Sequence, residues 1–210
     1  MLLFYPLLMM NRIILFLVTI SLTACINKEQ QKDLNDFFNE KELQEINHLT
    51  SFVRQQIMDS CAADFENCVQ QYFKDFEQQD LSSQEVDYRI AKAEQLQLLE
   101  SLDQDVFQEI WGYCEGSMAS EIEGERVNVK SVCINAQGKF AELLKYRTDA
   151  VDTLRIYGEA FEYVNDYTPS MNALLLLQSH RFDYSSDIDF LLISVHLLTL
   201  NHPDLILSSN

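Results

Sequence analysis

Proline is almost missing from this chain: none occurs between Pro6 and Pro169, and only Pro203 follows. Glycine is nearly as scarce, at five in 210 residues. Proline breaks helices, and each interior glycine weakens them. With both so rare, nothing in the middle of the chain forbids long helices. The scarcity of glycine also excludes the glycine-rich loops that cradle phosphates.

Positive charge is the second deficit, with 15 Lys and Arg against 33 Asp and Glu and a formal net charge of −18. Such a surface repels nucleic acid and anionic lipid headgroups and attracts cationic partners. The chemical motifs are absent too. No CxxC occurs, and the four histidines (His48, His180, His196 and His202) form no HExxH pair, so the common zinc patterns are excluded. There is no GxSxG elbow to present a serine nucleophile. No activity, cofactor or metal is therefore expected, and neither is an enzyme. Internal repeats and low-complexity tracts are also missing.

The last absence is an uninterrupted membrane span. Crossing the hydrocarbon takes about 20 apolar residues, whereas the run from Ile13 to Ala24 is shorter and Arg12 interrupts anything longer. A charge near the middle of a span costs about 2.5–3.5 kcal/mol. The start instead has a basic residue, a short apolar segment and a small-residue zone, which is the layout of a secretory signal peptide. Met9 and Met10 are alternative starts to Met1. Leu22-Thr23-Ala24-Cys25 resembles the lipobox of bacterial lipoproteins. That resemblance implies cleavage before Cys25, acylation of its sulfur, and anchoring in the bilayer by two or three chains, where a single chain holds only marginally. Ile26, rather than Asp, implies the outer membrane, facing the periplasm.

On this reading residues 1–24 are the signal, 25–36 a lipidated tether and 37–210 an acidic domain. Removal of the signal takes away one charge, Arg12, which leaves a net −19. One domain is the natural partition at this length.

Beyond Cys25, four cysteines remain: Cys61, Cys68, Cys114 and Cys133. An even number in an oxidising compartment predicts two disulfides, with three connectivities open. Within one continuous helix Cys61 and Cys68 would stand about 10.5 Å apart at 1.5 Å per residue, beyond the ~7 Å that a bridge tolerates. A 61–68 bridge thus requires a helix break near Ala62-Ala63-Asp64. We favour 61–68 with 114–133, because both close local loops.

Hydrophobic spacing predicts an all-α, single-domain bundle of five to six helices. Leu43, Ile46, Leu49, Val53 and Ile57 mark the first, and Phe65, Val69, Tyr72, Phe73 and Phe76 the second. Ser82 with Glu85 forms a capping box, after which Val86 to Trp111 reads as one long helix. Gly116 to Val132 breaks the pattern, with Val127–Val132 as a strand-like arm. Helical spacing returns from Phe140 to Val164 and again after Thr168-Pro169. Ile188 to Leu200 is so apolar that it reads as a central core helix. Within it His196 is expected to be a hydrogen-bonded core histidine, and Asp187 and Asp189 supply negative charge to the helix N-terminus. Trp111 is expected to pack on a disulfide beside Cys114.

Trp111, Cys114-Glu115-Gly116-Ser117, Cys133 and the helix after them resemble the C-terminal part of LprI-type lysozyme-inhibitor domains, which are small secreted helical domains. The resemblance implies an inhibitor of a cationic envelope-attacking enzyme, and it carries over no functional residue. Two classes of function follow. One is a lipid-anchored binding protein, inhibitor or immunity protein, for a cationic enzyme or toxin. The alternative is a structural or assembly lipoprotein that holds an envelope complex together.

Overall fold

The computed structural model describes residues 32–59, 61–79, 86–119, 126–168, 171–201 and 205–206. The signal segment, the lipobox and Cys25 lie outside the described residues, as do Ser82, Glu85 and His202. The folded unit runs from Leu34. Leu34 falls inside the expected tether, yet it is buried in the core.

Among the described residues the fold is all-α with one β-hairpin. The helices are α1 (Glu40–Asp59), α2 (Phe65–Glu77), α3 (Lys92–Ser101) and α4 (Gln104–Ile110), then α5 (Lys139–Ala150), α6 (Arg155–Val164), α7 (Met171–Gln178) and α8 (Asp187–Asn201). Eight helices exceed the expected five to six. The excess arises where short polar residues cut the hydrophobic runs. The predicted long helix 86–111 is divided at Leu102, which is extended, and Asp103 caps α4 by accepting a bond from the Asp105 amide at 3.0 Å. Aspartate favours such caps over helix interiors.

Residues 86–91 are not helical either. Gln79 clamps Asp87 through both its amide groups at 2.8 Å, and Arg89 takes a left-handed φ of 52°. Asn165 ends α6 in the same region, at φ 58°, a position that asparagine tolerates. No described helix is long and apolar enough to cross a membrane.

The expected strand-like arm is one half of an antiparallel hairpin. β1 (Trp111–Ala119) pairs with β2 (Arg126–Ile134) from Trp111↔Ile134 to Ala119↔Arg126, and β3 (Leu205–Ile206) adds two residues beyond β2. Strand alternation turns Trp111, Val132 and Ile134 to the core. Gly138 then lets the chain turn back into α5. A Cβ there would stand 2.3 Å from the Glu109 carbonyl oxygen, so only glycine fits.

At the centre lies α8, buried on every side as its composition predicts. It packs against α1, α5 and β2. Its buried polar residues are all provided for. Ser194 and Thr199 donate to the carbonyls four residues back at 2.7 Å. Asp189 receives Arg147 through two bonds, of 2.5 and 2.8 Å. Gln95 of α3 donates to the Leu198 carbonyl and accepts from Asn201.

Candidate functional site

The four cysteines pair as the loop argument favours. Cys61 and Cys68 are bonded with a Cα separation of 5.6 Å, and Cys114 and Cys133 with 5.9 Å. The first bridge spans the break between α1 and α2, where Asp64 caps α2 by accepting from the Asn67 amide. The second runs diagonally across the hairpin, since Cys114 stands opposite Ser131 and Cys133 opposite Gly112. Trp111 does not lie on it. Three residues along a strand reverse the face, so the indole points away from Cys114. Its ring sits 5.7 Å from Phe107 and its Nε1 donates to Thr199 Oγ1 at 2.9 Å.

Cys114, Cys133 and Asp166 bring potential ligand atoms within 4.8 Å of one another. Both sulfurs are in the disulfide, so neither offers a thiolate to a metal. The Asp166 carboxylate accepts from the amides of Ile134 and Tyr167, and burial pushes its pKa up.

A second cluster surrounds His196. The ring is fully buried, its Nδ1 is 2.7 Å from the Tyr157 hydroxyl, and its Nε2 is 3.3 Å from Asn172 Oδ1. Asn172 in turn donates to the Tyr88 hydroxyl, and the Tyr72 hydroxyl donates to the Tyr88 carbonyl. This pattern fits a neutral ring with its proton on Nε2. Burial lowers the His196 pKa to about 3, and burial likewise pushes the Tyr157 and Tyr167 hydroxyls upward. The cluster has no exposed member among Tyr157, Asn172 and His196. It is the hydrogen-bonded core histidine that the sequence predicts.

One feature open to solvent is a cleft of about 860 Å³. Along one wall runs the polar face of α2, with Glu66, Gln70, Lys74 and Glu77 at helical spacing. Opposite stand Ser179, His180 and the turn from Phe182 to Ser185, while Arg54 of α1 and the rings of Phe65 and Phe73 complete the lining. The Arg54 guanidinium lies 3.8 Å above the centre of the Phe65 ring and 4.9 Å from that of Phe190.

Charge pairing engages six cations elsewhere in the domain, while Lys92 and Lys130, also outside the cleft, have no ion pair among the described residues. Lys41, Arg89, Lys139, Lys145, Arg147 and Arg155 each reach a carboxylate at 2.5–3.9 Å. Arg54 and Lys74 have no ion pair among the described residues, although carboxylates outnumber cations about two to one. Glu66 and Glu77 are equally unpaired among the described residues. Asp64 and Asp183 are committed to near neighbours: hydrogen bonds from the backbone and side chain of Asn67, and from the hydroxyl and backbone of Ser185, hold their carboxyls below the usual carboxylate range.

Sequence reasoning did not single out Arg54, Lys74, Glu66 or Glu77. Their spacing is that of an ordinary solvated helix face, and only the fold sets residues 179–185 across from them. Compared with known protein families, with curated proteins and with solved structures, the chain matches none.

Proposed function

We propose that this chain is a lipid-anchored binding protein of the bacterial cell envelope. Acylated Cys25 holds it in the bilayer, on the outer membrane facing the periplasm. It engages a cationic protein and acts as an inhibitor or immunity protein against an envelope-attacking enzyme or toxin. It is not an enzyme, and it binds no nucleic acid.

The observation that carries this reading is the disposition of charge. Thirty-three acidic residues face 15 basic ones, and six of the cations are consumed by internal ion pairs. The field that remains outside is negative, and it steers a basic partner from beyond contact distance. Two disulfides suit an oxidising compartment and a scaffold that must not yield on binding.

The test is association of residues 26–210 with a panel of cationic hydrolases, measured between low and physiological salt. The on-rate should fall steeply as salt rises. Failure to bind any of them, or a rate indifferent to salt, would falsify the reading. The anchor is tested apart from this by mass spectrometry of the native N-terminus and by Cys25→Ala, which should move the protein to the soluble fraction.

One observation favours the assembly reading as an alternative. Ile156, Tyr163 and Val164 of α6 are 56%, 91% and 45% exposed, and Leu177 of α7 is 72% exposed. Ile156, Tyr163 and Val164 share one face of α6 at helical spacing, and exposed apolar groups of that kind suit a protein contact. A partner that co-purifies after gentle detergent extraction, and is lost on Tyr163→Lys, would support it.

A further inference from the structure

We propose that β1 is a docking strand: a basic extended segment of the cationic partner adds antiparallel to its outer edge, through the backbone of Tyr113, Glu115 and Ser117. The sign of the partner's charge rests on the reading above, while the open strand edge does not.

Hydrogen-bond alternation along the hairpin leaves those three residues facing outward. In an antiparallel pair, opposed residues alternate between those that exchange N–H···O bonds and those that do not. The Asn135 amide donates to the Ile110 carbonyl at 3.0 Å. The next pair, Trp111 with Ile134, turns outward, and the Ile134 amide donates to Asp166 instead. Continued alternation makes Gly112, Cys114 and Gly116 bond β2, whereas Tyr113, Glu115 and Ser117 direct their N–H and C=O groups away from it. None of these three has another backbone partner among the described residues. The β2 side of the sheet is covered at two places, by Asp166 at Ile134 and by β3 at Val129 and Lys130. Among the described residues the β1 side is left open.

An open edge is a template for another strand, and proteins usually blunt it with a proline, a lysine, a bulge or a very short strand. β1 has none of these. It is nine residues long, pairs without a break from Trp111 to Ala119, and contains neither proline nor lysine. Residues 113–116 are exposed. The one charge on the strand, Glu115, selects the occupant. Lys130 stands directly opposite, but its ammonium lies 4.1 Å from the centre of the Tyr113 ring, and no ion pair joins it to Glu115 among the described residues. Directly opposed residues of antiparallel strands share a face, so a basic residue added across from Glu115 meets a free carboxylate. A second copy of β1 would instead be brought in against a net charge of −18 on each chain. The other face of the strand is shallow. A Cβ at Gly112 would touch nothing, and one at Gly116 only Val129 at 3.8 Å. Apolar side chains that alternate with the basic ones fit over these two glycines.

The probe is an eight-residue peptide of alternating lysine and valine, acetylated and amidated, added to the full chain in detergent. Amide exchange is followed by NMR. Without peptide, the Tyr113, Glu115 and Ser117 amides should exchange fast beside the slow Gly112, Cys114 and Gly116. Saturating peptide should slow those three and leave α2 and α6 unchanged. Methylating the lysine amides, which face β1 in the antiparallel arrangement, should abolish binding, and methylating the valine amides should not. Ser117→Pro removes an outward N–H and should weaken binding about tenfold, and Glu115→Gln should weaken it about threefold. The methylated peptides keep the test decisive if Ser117→Pro disturbs the hairpin. A glutamate–valine peptide should not bind. Equal effects of the two methylations, no protection of the three amides, their protection before peptide is added, or a dimer of the free protein held through this strand would each overturn the proposal. Cationic hydrolases that bind with the expected salt dependence but leave these amides unprotected would overturn strand addition alone. Peptide that adds to β1 while no hydrolase binds would overturn only the inhibitor reading.

Discussion

The Tyr157 hydroxyl lies 2.7 Å from Nδ1 of His196, and both side chains are fully buried. The ring is therefore neutral when folded, with a pKa depressed by burial to about 3 against the ordinary 6.5. In the unfolded chain the ring takes up a proton below pH 6.5, and in the folded chain it does not until about pH 3. The unfolded state thus gains protons first, and stability falls as pH drops through that window. One pKa unit corresponds to about 1.4 kcal/mol, so the His196 contribution should fall by about 2 kcal/mol from pH 7 to pH 5. Urea unfolding at both values, with His196→Gln as reference, measures it. A slope identical in the two proteins would refute this account.

The same network contains two tyrosines with opposite expected behaviour. Tyr157→Phe leaves Nδ1 of His196 without its donor, and it should cost about 1–3 kcal/mol. The Tyr167 hydroxyl is buried with no partner among the described residues. Removing a buried hydroxyl without a partner relieves a desolvation penalty, so Tyr167→Phe should leave stability unchanged or raise it by about 1 kcal/mol. Thermal unfolding should show a lowered midpoint for Tyr157→Phe and no lowering for Tyr167→Phe.

Asp189 is fully buried, receives Arg147 through two hydrogen bonds, and also accepts from the Asp183 amide at 2.8 Å. Removing one partner of such a pair strands the other charge and costs about 3–5 kcal/mol. Arg147→Ala should therefore destabilise far more than Arg155→Ala, whose ion pairs are exposed. Denaturant midpoints with unchanged slopes would check it, and equal losses would count against the buried pair.

The two bridges close loops of different length, with sequence separations of 7 and 19. Loop-closure entropy gives about 2.5 kcal/mol for the shorter and about 3 kcal/mol for the longer. Replacing Cys114 and Cys133 together by Ser should lower stability at least as much as replacing Cys61 and Cys68. Trp111, the single tryptophan, is 1% exposed and serves as the optical probe.

Gly138→Ala would drive a methyl into the Glu109 backbone at 2.3 Å. Forced overpacking costs about 1–3 kcal/mol. Gly112→Ala, with open space around its added Cβ, is the matched control, and it should cost less than half as much in the same unfolding assay.

Much of this architecture was legible in the residues alone. The apolar spacing of α1 and α2 named their buried faces, because a 3.6-residue repeat is a local property of the chain. The composition of Ile188 to Leu200 marked a core helix for the same reason. The distance limit on a disulfide demanded the break that Asp64 now caps. What the tertiary structure decided is everything that depends on residues remote in sequence. Trp111 meets Thr199 across 88 positions, and Arg147 meets Asp189 across 42. The division of 86–111 follows from local caps outweighing an apolar repeat that continues straight through them. The cleft is the clearest case. Glu66, Lys74 and Glu77 are indistinguishable from a solvated helix face until the chain brings Arg54 and residues 179–185 around them, and no periodicity encodes that meeting.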